Sequence, residues 1–160
     1  MDKTRRQMIA GGGLGLAMAA VRVGAAKPAT IVAAKAIHQE EDFKCGAQRI
    51  YEALLDAGQF RAFSGGAAEI HREAGGAFAL FEGRIVGRNV ELVSNRRIVQ
   101  AWRSASWSEG AYSIARFELM DQGAGTRVVL DHTGFPPEHA ESLESGWNEH
   151  YWTALHKFLG

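Results

Sequence analysis

The chain has 160 residues, 46% of them hydrophobic and 22% charged, with a formal net charge of zero. That is enough for one globular domain with a real core and too little for two. No stripe of Lys and Arg runs through the body, which argues against nucleic acid as a partner, because neutralising phosphates takes clustered positive charge.

The opening residues read as an address rather than as fold. In "MDKTRRQMIAGGGLGLAMAAVRVGAAKPA", Lys3, Arg5 and Arg6 precede a weakly apolar Gly- and Ala-rich stretch, then Gly24, Ala25, Ala26 and Pro28. A charged start, a short apolar run and small residues at the end make a secretory signal. The Arg5-Arg6 pair resembles the twin-arginine (Tat) signal, which implies the Tat export machinery as a partner and a periplasmic or extracellular destination. The apolar run is shorter than the ~20 residues of a spanning helix. Cleavage near Ala26, leaving no stable membrane anchor, is therefore expected. The expected division is residues 1–26 as signal, 27–33 as a short linker and 34–160 as the domain. Loss of four basic residues (Lys3, Arg5, Arg6, Arg22) and one acidic residue (Asp2) would leave 14 basic and 17 acidic residues, a charge of −3. Cys45 is the single cysteine, so no intrachain disulfide is possible.

The domain begins with a strand in "AKAIHQEEDF". A helix follows in "GAQRIYEALLDAGQF", with Ile50, Leu54 and Leu55 on one face and Gly58 as its expected stop, then a short second helical turn near Phe60–Phe63. From Ala67 onward, runs of strand length alternate with Gly, Asn, Asp and Ser turns too short for parallel crossovers, giving an antiparallel sheet of about six or seven strands. In "YSIARFELM", Ser113, Ala115, Phe117 and Leu119 share one face. In "TRVVLDH", Thr126, Val128, Leu130 and His132 do. The last segment, "PPEHAESLESGWNEHYWTALHKFLG", reads as one long helix with Leu143, Trp147, Tyr151, Ala154, Leu155 and Phe158 in a stripe. Trp152 lies roughly 140° from Trp147 at 100° per residue and needs a separate explanation. The fold class is α+β, with the long helix covering the sheet's apolar face.

Three segments carry a resemblance: "GRIVGRNVELVSNRRIVQAWR", "YSIARFELMDQGAGTRVVLDHTGFP" and "GWNEHYWTALHKFL". Their order and spacing resemble the family named for the C-terminal domain of the activator of heat-shock protein 90 ATPase, a branch of the START-like (SRPBCC, Bet v-type) superfamily. The resemblance covers Ala34 to Gly160. It implies a helix-grip fold, in which a curved antiparallel sheet wraps a long C-terminal helix around an apolar cavity, and it implies binding of small hydrophobic molecules. It also leaves two alternatives: an interaction module that stimulates a chaperone ATPase, and a cyclase- or hydrolase-like enzyme. An exported protein would not meet a cytosolic chaperone at its destination.

Candidate cavity residues on this reading are Trp102, Trp107, Phe117, Leu119, Leu130, His132, Trp147, Tyr151 and Leu155. His132 could donate to a ligand carbonyl or transfer a proton, or could simply be a hydrogen-bonded histidine at a strand end. Trp102 and Arg103 must face opposite ways, and the sequence does not say which faces in. Asn89 and Glu91 should share a face, either as polar cavity groups with Arg103 or as part of the wet side. The usual catalytic, phosphate-binding and dinucleotide motifs do not occur, and the six histidines are scattered. No metal or cofactor is expected.

Overall fold

The computed structural model describes residues 35–160. The signal reading, the linker and Arg5 and Arg6 lie outside those residues. Seven strands form one antiparallel sheet: β1 (Ala36–Phe43), β2 (Ala68–Ile70), β3 (Ala77–Leu80), β4 (Ile85–Val93), β5 (Arg97–Ser104), β6 (Ser113–Asp121) and β7 (Thr126–Thr133). The spatial order is β1-β7-β6-β5-β4-β3-β2, so the chain runs as a meander from β2 to β7, and β7 closes on β1. β1 and β2 are the two edges of the sheet. Helices α1 (Ala47–Leu55) and α2 (Ala57–Ser64) connect them.

The break between α1 and α2 comes from Asp56 rather than from Gly58. Asp56 stays extended and its carboxylate accepts from the Gln59 amide at 2.9 Å, capping a new helix before Gly58 is reached. Gly58 therefore sits in the first turn of α2. That helix ends at Gly65, whose φ of 72° is the left-handed conformation glycine adopts freely.

Alternation places the sheet residues largely as the sequence suggests. On β6, Ser113, Ala115, Phe117 and Leu119 are buried while Ile114 and Met120 are exposed; on β7, Thr126, Val128, Leu130 and His132 are buried. β5 settles the Trp102/Arg103 question, with Ile98, Gln100 and Trp102 inward. β4 departs from simple alternation. A bulge between Asn89 and Glu91 makes Asn89 pair with Gln100 and Glu91 with Val99, leaving Val90 as the extra residue. Asn89 is fully buried while Glu91 faces out and pairs with Arg97, so the two do not share a face.

The C-terminal helix runs as a 3₁₀ turn (Pro137–His139), α3 (Ala140–Gly146), a π-helical turn (Trp147–Trp152) and α4 (Thr153–Leu159). The Thr153 amide donates to the Asn148 carbonyl, a five-residue spacing that inserts one extra residue into the helix. The buried face shifts accordingly. Trp147, Tyr151, Trp152, Leu155 and Leu159 are buried, whereas Phe158, a member of the expected stripe, is 37% exposed. The inner side of β1 receives the rotated face. Trp152 Nε1–H donates to Gln39 Oε1 at 2.6 Å, and His156 stacks on Phe43 (4.3 Å between centroids) with Nε2 2.9 Å from Glu41. Trp152 thus docks the helix on the first strand.

Candidate functional site

Where β5, β6, β7 and the π-turn meet, four polar groups form one buried chain. Trp147 Nε1–H donates to His132 Nδ1 at 3.0 Å, His132 Nε2 lies 2.7 Å from Ser113 Oγ, and Ser113 Oγ–H donates to the Trp102 carbonyl at 3.0 Å. An indole nitrogen can only donate, so Nδ1 must be the unprotonated nitrogen and Nε2 must carry the proton. His132 therefore donates to Ser113 rather than accepting from it. A Ser–His pair at this distance has the spacing of a nucleophile and its base, but the proton sits on the wrong nitrogen for His132 to deprotonate Ser113. Burial lowers the His132 pKa to about 4, so the ring is neutral near pH 7. His132 is 0% exposed and Ser113 1%. The arrangement locks three strands to the helix, and its Ser–His pair is sealed from solvent.

Beside this network lies a cavity of about 280 Å³ between the sheet and the C-terminal helix. Trp102, Trp107, Trp147 and Tyr151 form its inner wall, and all four are buried. Trp102 and Trp107 lie 5.5 Å apart between ring centroids, Trp102 and Trp147 5.9 Å, and Trp147 and Tyr151 4.4 Å. Exposed Arg84, Ser106, Ser142 and His150 also line it, so the cavity reaches the surface. Trp102 Nε1–H is buried and makes no hydrogen bond of normal geometry. Burial pushes the Tyr151 phenol pKa well up, opposed by the hydrogen-bonding indole N–H of Trp102. Tyr151 stays protonated, with a hydroxyl able to donate.

The remaining sequence candidates fall elsewhere. Phe117, Leu130 and Leu155 are packed in the core behind the cavity wall. Leu119 lines a separate, wider depression of about 940 Å³ among Arg96, Arg97, Arg116 and Glu118, which lacks an aromatic wall. Asn89 is spent on structure. Its Nδ2–H donates to the His71 carbonyl at 2.9 Å and its Oδ1 accepts from Gln100 at 3.0 Å, which pins the 71–76 loop onto β4. Arg103 faces away from the core and donates to the Trp107 carbonyl at 2.8 Å, holding the loop that carries Trp107. Glu91, outside the bulge, has no part in the cavity.

Sequence reasoning did not assign Phe81, Arg84, Ser106, His139, Gly146 or His150 to the cavity, and each lines it. Phe81 and Arg84 arrive through the β3–β4 turn, and His139 stacks on Trp107 at 5.9 Å. Among the described residues, no cluster of three or more His, Cys, Asp or Glu is arranged to hold a metal ion. Burial raises the pKa of the Cys45 thiol, opposed by nearby Arg49.

The chain is 33% identical over 122 residues to an "Activator of 90 kDa heat shock protein ATPase homolog" of Dictyostelium discoideum, a match covering 76% of this chain and 31% of that protein. It is 29% identical over 124 residues to homolog 2 of Mus musculus, covering 78% and 38%. The chain thus spans about a third of the length of these curated relatives. Among solved structures, an HSP90 activator from Plasmodium falciparum superposes with a TM-score of 0.74 at 25% identity, covering 78% of this chain and 96% of that one. CalU16 from Micromonospora echinospora shares the fold, with a TM-score of 0.69 at 19% identity, covering 79% and 77%. The seven-stranded sheet and long C-terminal helix are those of the START-like helix-grip fold. Residues 44–160, from the end of β1 to the last residue, match the family model described as "Activator of Hsp90 ATPase homolog 1-like protein", and the chain belongs to that family.

Proposed function

We propose that the domain binds one small apolar or amphipathic molecule in the cavity between the sheet and the C-terminal helix. The observation that carries this reading is a cavity walled by Trp102, Trp107, Trp147 and Tyr151 that reaches the surface.

Gly146 supports the same reading. It lines the cavity with ordinary helical angles (φ −59°, ψ −42°), and an added Cβ would meet nothing within 4 Å. Neither backbone conformation nor crowding calls for glycine there, although glycine costs a helix about 1 kcal/mol relative to alanine. Its missing side chain leaves the cavity open. A panel of small aromatic, terpenoid and acyl compounds should contain members that raise the melting temperature. A ligand at a hundredfold excess over Kd would add about 2.7 kcal/mol, worth several degrees. Gly146→Leu should fold at least as stably and lose those shifts. A panel without effect on the wild type, or shifts that survive Gly146→Leu, would remove the proposal.

A second reading is a module that stimulates a chaperone ATPase. It is favoured by the Plasmodium falciparum HSP90 activator, 96% of whose chain is covered. Stimulation of a purified chaperone ATPase by this chain would support it. The signal-like residues 1–26 point to Tat export instead, and cell fractionation separates the two.

A further inference from the structure

The cavity lining is uneven in charge, and on the reading that it holds a small molecule this unevenness specifies the class. The lining includes Arg84, His139 and His150 and no aspartate or glutamate. Among the described residues, Arg72, Arg97, Arg116 and Arg127 each pair with a carboxylate, and Arg84 is not among them. Arg84 is an exposed residue of the cavity lining, which puts a cationic side chain at the solvent side of the cavity rather than at its buried wall. A cationic occupant would be repelled there and a neutral one would gain nothing. An anion would gain a charge-assisted contact with a planar fork suited to carboxylate.

The inner wall specifies the rest of the molecule. Trp102, Trp107 and Trp147 present rigid aromatic surfaces, which favour a flat ring in offset or edge contact. A volume of about 280 Å³ lies just below the range of roughly 300–1,000 Å³ for ligand pockets. It suits one or two fused rings better than a long acyl chain. An aromatic cage can also attract a cation, but a cation site is served by an acidic rim, and this rim carries Arg84.

We propose that the ligand is a small aromatic carboxylate, its rings between the indoles and its carboxylate at the mouth against Arg84. The test is calorimetric titration of the full chain with 2-naphthoate, 2-naphthalenemethanol, 2-naphthylmethylammonium and decanoate. These vary the charge on one ring system and then the body behind one charge. Naphthoate should bind at least tenfold more tightly than the alcohol, with the ammonium weakest and decanoate weaker than naphthoate. Arg84→Gln should bring naphthoate down to the level of the alcohol, and Arg84→Glu should place the ammonium above naphthoate. The melting temperature of each free variant checks its fold.

If the alcohol matches naphthoate on the wild type, or Arg84→Gln leaves the gap between them, the carboxylate assignment is wrong while the cavity remains a binding site. Decanoate binding as tightly as naphthoate overturns the aromatic assignment. If none of the four compounds binds the wild type, the aromatic carboxylate assignment falls, and the cavity reading falls with it only if the wider panel of aromatic, terpenoid and acyl compounds also leaves the melting temperature unchanged.

Discussion

Lowering the pH from 6.5 to 4 should remove about 3 kcal/mol of folding stability through His132 alone. In the unfolded chain the imidazole takes up a proton near 6.5, whereas burial holds it unprotonated in the fold until about 4. Between those values the unfolded state binds more protons, so stability falls as the pH falls, by about 1.4 kcal/mol per pH unit. Above pH 6.5 the contribution is complete and flat. The groups around the ring are uncharged: Ser113, Trp102, Phe135 and Trp147. Among the described residues no carboxylate is in place to rescue the imidazolium, and a proton on Nδ1 would oppose the Trp147 N–H. Urea unfolding of the wild type and His132→Gln at pH 7, 5.5 and 4.5 isolates the effect, because other titrating groups cancel in the difference. The variant should be less stable at pH 7, and the gap should narrow steadily toward pH 4.5. A gap that stays constant would mean that His132 titrates normally in the fold.

The parts of this molecule that could be read from sequence are those governed by a fixed period. Alternation on β6 and β7 put Phe117, Leu119, Leu130 and His132 on one side, and the structure buries all four. Alternation cannot say which of two faces is inside, so the sequence leaves Trp102 and Arg103 open, and it is the packing of β5 against the helix that puts Trp102 inward. Period also fails where a single residue is inserted. Val90 has nothing in its identity to mark it as a bulge, yet it breaks the expected link between Asn89 and Glu91. The π-turn does the same to the helix. One extra residue rotates the remainder of the helix by about 100°, which takes Trp152 inward and Phe158 outward. The cavity was the least legible feature, because Phe81, Arg84 and Ser106 reach it from turns whose positions depend on strands distant in sequence. The aromatic terminal helix was a fair guide to where the cavity lies, and a poor one to what stands at its mouth.

Trp147 should be the most costly single position in the domain. It is 2% exposed, donates to His132, and packs within 6.4 Å of Trp102, Phe117, Tyr151 and Trp152 by ring centroids. Trp147→Ala deletes a buried aromatic, worth about 3–5 kcal/mol. It also strands Nδ1 of His132 as a buried acceptor, worth about 1–3 kcal/mol. The sum is on the order of the whole stability of a small domain, about 5–15 kcal/mol, so this variant should be substantially unfolded at room temperature by circular dichroism. Trp147→Phe separates the two contributions, since it keeps a ring in the core and loses the N–H. It should fold with a reduced urea midpoint. Paired with His132→Gln in a double-mutant cycle, it should show a coupling of about 0.5–3 kcal/mol, because each substitution removes the same hydrogen bond. Losses that add to within about 0.3 kcal/mol would mean that the Trp147–His132 contact contributes packing alone. In that case the proton order along Trp147, His132 and Ser113 would have to be redrawn.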